Sequence, residues 1–114
     1  MLRDDKQACR ALRVFLGGTF HDVDSLWTDK GPTETALRYL KASPLSHGEH
    51  LILQVAFDLW NGRGGAKFSE LMSVLDTSFL VLVFELATAV ANGPDAVDAW
   101  IARRSVWPGT GGKK

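Results

Sequence analysis

Two histidines, His47 and His50, have a spacing that suits metal chemistry. On a helix, side chains three positions apart share a face, so both imidazoles could reach one zinc ion. A third ligand would have to come from elsewhere, and His21 is the remaining histidine. The competing interpretation is a capping box, in which the Ser46 hydroxyl caps a helix and Glu49 bonds back to it. We favour the capping box, and therefore predict no metal site and no cofactor.

A glycine pair carries a short resemblance to nucleotide-binding proteins. Gly17-Gly18-Thr19-Phe20 resembles the sequence that opens the phosphate loop of nucleotidyltransferases in the adenylyltransferase superfamily. It is also similar to the strand-ending sequence of nucleoside deoxyribosyltransferase-like domains. Those nucleotidyltransferases continue with a His-x-Gly-His motif, whereas His21 is followed by no second histidine nearby, and the strand-helix-strand units of either fold are missing. We therefore interpret the glycines as a helix end with a left-handed residue after the last turn.

No arrangement of a nucleophile with a base predicts an enzyme. Serines, threonines and Cys9 all lie outside recognised catalytic contexts. Because Cys9 is the single cysteine, an internal disulfide and a cysteine-based zinc site are both excluded. The glycine-rich end 109–114 lacks the following helix that a phosphate loop requires. We predict that the protein is not an enzyme and has no small-molecule substrate.

Basic residues cluster at both ends of the chain, although the formal net charge is zero. Four of them have helical spacing and form one stripe: Arg3, Lys6, Arg10 and Arg13. The C-terminal set is Arg103, Arg104, Lys113 and Lys114. Chain termini often lie close together, so one patch could bind an acidic protein or the phosphates of a nucleic acid. The alternative is a helix face that is merely solvated.

Base-specific DNA reading is not expected from the segment 68–91, which has the outline of a helix-turn-helix. A recognition helix needs Arg, Lys, Asn or Gln to reach the base edges. No lysine or arginine occurs between residues 68 and 102. A nucleic acid would therefore have to bind at the basic termini.

Two of the four tryptophans are candidate anchors for a partner. Trp60 and Trp100 fit apolar stripes that face inward. Trp27 lies in the ambiguous segment 19–29, and Trp107 follows the last expected helix. Tryptophan is enriched at interface hot spots, so Trp27 and Trp107 could each anchor a partner. Packing back onto the domain is the alternative for both.

The spacing of apolar residues predicts an all-α fold, a compact single-domain bundle of about five or six helices. The expected helices span about residues 3–16, 33–42, 46–60, 67–75, 77–91 and 95–104. Leu37 and Leu40 are expected to face inward, and the short helix over 67–75 carries the apolar residues Phe68, Leu71, Met72 and Leu75. We expect one helical domain over 1–104 and a flexible, glycine-rich basic tail over 105–114.

The segment 77–91 is apolar nearly all round, which is typical of a central helix or of an oligomer interface. It is too short to span a bilayer and contains Glu85, so no membrane partner is expected. A buried strand over 79–84 is the alternative, because this run has high β-propensity. The segment also favours a homodimer.

These features favour a small cytoplasmic interaction or regulatory protein, of adaptor or inhibitor type, that binds another protein. The alternative is a nucleic-acid-associated protein that uses the basic termini. The build is typical of small proteins of phages and mobile elements. The predicted partner-binding residues are Arg3, Lys6, Arg10, Arg13, Trp27, Arg103, Arg104 and Trp107.

Overall fold

The structure is a computed structural model that describes residues 2–42 and 44–105. The predicted helical bundle is confirmed: the described residues form six helices and one small hairpin. The helices are α1 Asp5–Gly17, α2 Glu34–Lys41, α3 His47–Asn61, α4 Phe68–Val74, α5 Thr77–Asn92 and α6 Pro94–Ser105. The Cα radius of gyration is 13.2 Å, about the value for a compact chain of this length.

Short polar side chains start the helices by accepting hydrogen bonds from backbone N–H groups that lack partners in the first turn. The predicted capping box is present: the Glu49 N–H donates to Ser46 Oγ, and the Ser46 N–H donates to Glu49 Oε1. Asp76 caps α5 at Phe79 N–H in the same way. Asp4 caps α1, so the helix begins after Arg3 and not at it.

The ambiguous segment 19–29 folds into a 3₁₀ turn, Val23–Ser25, and a hairpin. Its strands, β1 Trp27–Thr28 and β2 Gly31–Pro32, pair antiparallel with Trp27 opposite Pro32. The hairpin places Trp27 in the core with no exposed surface, edge-on to Phe57 and Trp60 at centroid distances of 5.2 and 5.7 Å. Trp27 is therefore a core residue, and the prediction that it anchors a partner at the surface is corrected.

The core forms where α1 contacts α3, α5, α6 and the hairpin. α1 contributes a buried face at the predicted helical spacing, which includes Ala8, Leu12 and Phe15. Cys9 lies on the same side, and burial raises the pKa of its thiol. From α6, the indole of Trp100 is fully buried in the same cluster.

The segment predicted over 77–91 is a helix and not a strand, and it is α5. α5 buries Leu82, Val83 and Leu86, and its main neighbour is α6. Val81 and Phe84 on the same helix are 44% and 39% exposed. One face of α5 is therefore buried, as a central helix requires. The opposite face lies at the surface of the described structure.

Candidate protein-binding surface

An exposed apolar surface joins α4 and α5. Phe68 and Met72 lie one turn apart on α4, and are 66% and 49% exposed. Val81 and Phe84 lie one turn apart on α5. The rings of Phe68 and Phe84 are 6.2 Å apart between centroids, so the two pairs form one continuous surface. We call these four residues the apolar face: Phe68, Met72, Val81 and Phe84.

Only part of the apolar set carried by α4 is buried. α4 has seven residues and packs against α3, and it buries Leu71 while Leu75 is buried just after its end. The side of α4 that carries Phe68 and Met72 turns away from this contact. On α2, Ala36 is fully buried and Leu37 is 44% exposed, so the inward position predicted for Leu37 is wrong.

A groove between α5 and α6 continues the apolar face. Its volume is about 530 Å³, and Val81 and Phe84 form part of its wall. Small residues line another part of it: Thr88, Ala89, Ala96 and Ala99. Short side chains let another backbone approach the two helices closely, so the groove can accept a helix or an extended segment.

Two cations lie beside this surface. Arg103 lines the α5–α6 groove, and Lys67 immediately precedes Phe68. Both are exposed, and within residues 2–42 and 44–105 neither side chain makes an ion pair or a hydrogen bond. Glu85, which also lines the groove, binds Arg104. Arg103 and Lys67 are thus available to an acidic group of a partner.

The basic stripe of α1 is partly neutralised within the fold. Arg10 pairs with Asp98 at 3.2 Å. Arg13 donates to the carboxylate of Asp24 and to the carbonyl oxygen of Trp27. Arg3 and Lys6 are exposed and make no ion pair with another described residue. Two of the four stripe cations therefore hold α1 to its neighbours, which reduces the charge available to a phosphate backbone.

The cations at the two ends of the described chain line different grooves. Lys6, Arg10 and Arg13 line a groove of about 490 Å³. Arg103 instead lines the α5–α6 groove, and the Arg104 guanidinium donates to Glu85 Oε1 at 2.7 and 3.0 Å. That the two ends form a single basic patch stays a prediction. Lys113, Lys114 and Trp107 lie outside the described residues.

Gln7 and Arg10 determine the acid–base behaviour of Asp98. Gln7 Nε2 donates to Asp98 Oδ1 at 2.9 Å and to the Pro94 carbonyl at 2.8 Å. The Gln7 bond, joined by the bond and charge of Arg10, holds the pKa of Asp98 below its ordinary value of 3.8. The carboxylate thus fastens the start of α6 to α1.

We expect Asp98→Asn to reduce stability at neutral pH and to lose this effect in acid. A carboxyl group whose folded pKa is lowered stabilises the fold above its unfolded pKa, and this contribution disappears as pH falls through the folded value. The wild-type advantage over Asp98→Asn in the free energy of unfolding should therefore shrink below about pH 4. Urea unfolding between pH 7 and pH 3 measures it, with Asp95→Asn on the same helix as control. An advantage that is as large at pH 3 as at pH 7 would contradict the assignment.

The two histidines considered for a metal point to different elements. His47 Nε2 lies 3.2 Å from Glu70 Oε2 on α4, and His50 Nε2 lies 3.0 Å from the carbonyl oxygen of Leu40 on α2. Among the described residues, no three or more His, Cys, Asp or Glu side chains come together in a group that could hold a metal ion. Both histidines instead connect α3 to its neighbours.

The glycine pair at 17–18 follows a helix and not a strand. Gly17 is the last residue of α1, and Gly18 caps it with φ −71° in the right-handed helical region. The predicted left-handed cap is therefore wrong here, although Gly62 at the end of α3 has φ +77°. The backbone at 17–18 does not itself require glycine.

Comparison with known proteins adds no relative: no protein-family model, curated protein or solved structure matches this chain. None of the helices in the described ranges combines the length and the apolar character that crossing a membrane requires. The geometry of the described residues is thus the basis for a functional proposal.

Sequence reasoning missed the apolar face as a binding surface. One available signal was the composition of α5, since Val81 and Phe84 lie on a different side of the helix from Leu82 and Leu86. A helix that is apolar on every side needs cover on every side, either from its own chain or from a partner.

Proposed function

We propose that this protein is a non-enzymatic interaction protein that binds another protein through the apolar face. The observation that carries the proposal is the contact of Phe68 with Phe84, each exposed, on two adjacent helices. Clusters of exposed apolar side chains with a polar rim mark interaction sites, because the contact of apolar surface with water is unfavourable and a partner removes it. Large aromatic side chains at the centre of such a surface contribute most to binding.

The chemistry of the surface suggests a partner with apolar side chains and a carboxylate. A helix or strand that laid apolar side chains over Phe84 could extend into the α5–α6 groove, where a carboxylate would meet Arg103. Lys67 favours the same sign of charge in the partner. A second copy would bring the same two cations to the interface, so a different, acidic protein fits better.

The role of the apolar face is tested by affinity capture from the source cell. The proteins that bind to the wild type are compared with those that bind to two variants. We expect Phe68→Ser/Phe84→Ser to lose a companion protein that the wild type retains, with affinity lowered about 30-fold or more, since hot-spot residues each contribute about 2 kcal/mol. Leu37→Ser is the matched control, because Leu37 is an apolar side chain on α2 whose 44% exposure lies between those of Phe84 and Phe68.

The results of this comparison either support or contradict binding through the apolar face. Loss of one companion from the double variant, and its retention by Leu37→Ser, supports the proposal. The proposal is contradicted if the double variant retains the companion as well as the wild type does. It is also contradicted if the wild type retains no protein that the double variant loses. Circular dichroism of both variants shows whether the fold has been kept.

The charge of the partner is tested separately by Arg103→Glu. We expect weaker binding that depends less on salt, because a cation facing a carboxylate contributes to steering and to salt dependence. Lys30→Glu is the control, since Lys30 is an exposed cation in the hairpin turn. Stronger binding by Arg103→Glu would contradict an acidic partner while leaving the apolar face as the binding surface.

A further inference from the structure

The α5–α6 groove is a channel between two helices that lie side by side. After the turn at Gly93, α6 returns along α5, and the Arg104 guanidinium reaches Glu85 Oε1 at 2.7 Å. The α5 wall includes side chains at intervals of three or four residues: Val81, Phe84, Thr88 and Asn92. Side chains with this spacing share one face of a helix, so the groove follows α5 over about 16 Å.

The two ends of the groove differ in size and charge. α6 contributes Ala96, Ala99 and Arg103 at the same helical spacing. Because α6 returns along α5, Arg103 lies at the end that carries Phe84, and Ala96 lies at the end that carries Asn92. One end is thus aromatic and cationic. The short side chains of the remaining length let another helix pack closely against the groove.

The walls of the groove offer few hydrogen bonds to the backbone of a bound segment. The N–H and C=O groups along α5 and α6 bond within their own helices. An extended segment of about five residues would fill the length of the groove and bring several unbonded N–H and C=O groups against these walls. A buried backbone group without a partner costs free energy, whereas a helix bonds its own backbone internally. The groove therefore suits a helix better than a strand.

We propose that the occupant of the groove is an amphipathic helix of about three turns that belongs to a second, acidic protein. This inference rests on the proposed function and adds to it the form of the partner. A helix that binds in a groove presents apolar side chains at intervals of three, four and seven residues, which matches the spacing along α5. Arg103, which makes no ion pair with another described residue, faces a carboxylate of this helix. A second copy of the chain would bring another Arg103 instead.

Photo-crosslinking from two positions on α5 measures the form of the bound segment. A photoreactive phenylalanine analogue replaces Phe84 in one chain and Asn92 in another, and these positions are about 12 Å apart along the helix. A bound helix advances about 1.5 Å per residue, so the two probes should reach partner residues about eight positions apart. An extended segment advances about 3.3 Å per residue, which would give about four positions. Mass spectrometry of the peptides crosslinked in the source cell gives the separation.

The results distinguish failure of this proposal from failure of the proposed function. Crosslinks about eight residues apart in one other protein support the helix. Crosslinks about four residues apart, or a crosslink from position 84 with none from position 92, overturn the helix in the groove and leave the apolar face as a binding surface. Crosslinks between copies of this chain overturn the acidic partner. No crosslink from either position overturns the proposed function, and this inference with it.

A variant that fills the groove gives an independent test. The companion protein crosslinked from position 84 is purified, and its affinity for Ala99→Trp is measured. We expect that affinity to fall about 10-fold or more, because the indole occupies the space of the bound helix. Ala102→Trp is the matched control, since Ala102 is an exposed alanine of α6 that does not line the groove, and its affinity should stay within about twofold of the wild type. Equal affinities of the two variants would overturn the proposal.

Discussion

Gly64→Ala is expected to destabilise the protein by about 4 kcal/mol or more, enough to unfold many domains of this size. A Cβ on Gly64 would lie 1.8 Å from the Gln54 carbonyl oxygen and 2.8 Å from the Asp58 backbone nitrogen. Both atoms belong to the backbone of α3, so the clash cannot be relieved by rotating a side chain.

The loop at Gly64 is also held against α3 by hydrogen bonds. Asp58 Oδ1 accepts the N–H groups of Gly64 and Gly65 at 2.8 and 2.9 Å, and Asp58 Oδ2 accepts that of Ala66 at 3.0 Å. If the loop moved outward to make room for a methyl group, these bonds to a charged acceptor would be lost. The loop therefore cannot easily relax.

Urea unfolding followed by circular dichroism measures the effect of Gly64→Ala. Gly17→Ala is the control, because it adds the same methyl group in open space at a helix end, and its effect should stay within about 1 kcal/mol of the wild type. A Gly64→Ala chain as stable as the control would show that the loop does not lie as close to α3 as described.

Trp27→Ala is expected to cost about 3–5 kcal/mol of stability, the range for removing a large aromatic side chain from a core. Trp27 is fully buried and packs edge-on against Phe57 and Trp60, so its removal leaves a cavity between the hairpin and α3. Trp27→Phe should lose less, because an aromatic ring remains against Phe57 and Trp60.

The same denaturation experiment distinguishes the two roles considered for Trp27. A surface anchor for a partner would tolerate Trp27→Ala with a change within about 0.5 kcal/mol, as exposed positions usually do. A change that small, with near-ultraviolet circular dichroism unaltered, would contradict the core position.

The helical bundle could be predicted because its start signals are local. The Ser46–Glu49 capping box and the Asp76 cap need only residues within one turn, and both are confirmed. The helical character of 77–91 also followed from its length and from the residues after Phe84. Local chemistry thus determined the helix class and most helix ends.

The faces of the short helices could not be predicted, because burial depends on which neighbours lie nearby. α4 offers apolar residues on more than one side, and contact with α3 selects Leu71 rather than Phe68. The partners of the basic stripe are equally remote, since Asp98 is 88 residues from Arg10. Spacing indicated a stripe of cations, but not which carboxylates would neutralise it.

Site-specific photo-crosslinking tests most directly whether the apolar face binds another protein. A photoreactive phenylalanine analogue replaces Phe84 in one chain and Leu37 in a second, and each is irradiated in the source cell. We expect a discrete crosslink to one other protein from position 84, which is lost when Phe68→Ser is added, and no such crosslink from position 37. The same crosslink from both positions, or none from position 84, would contradict it.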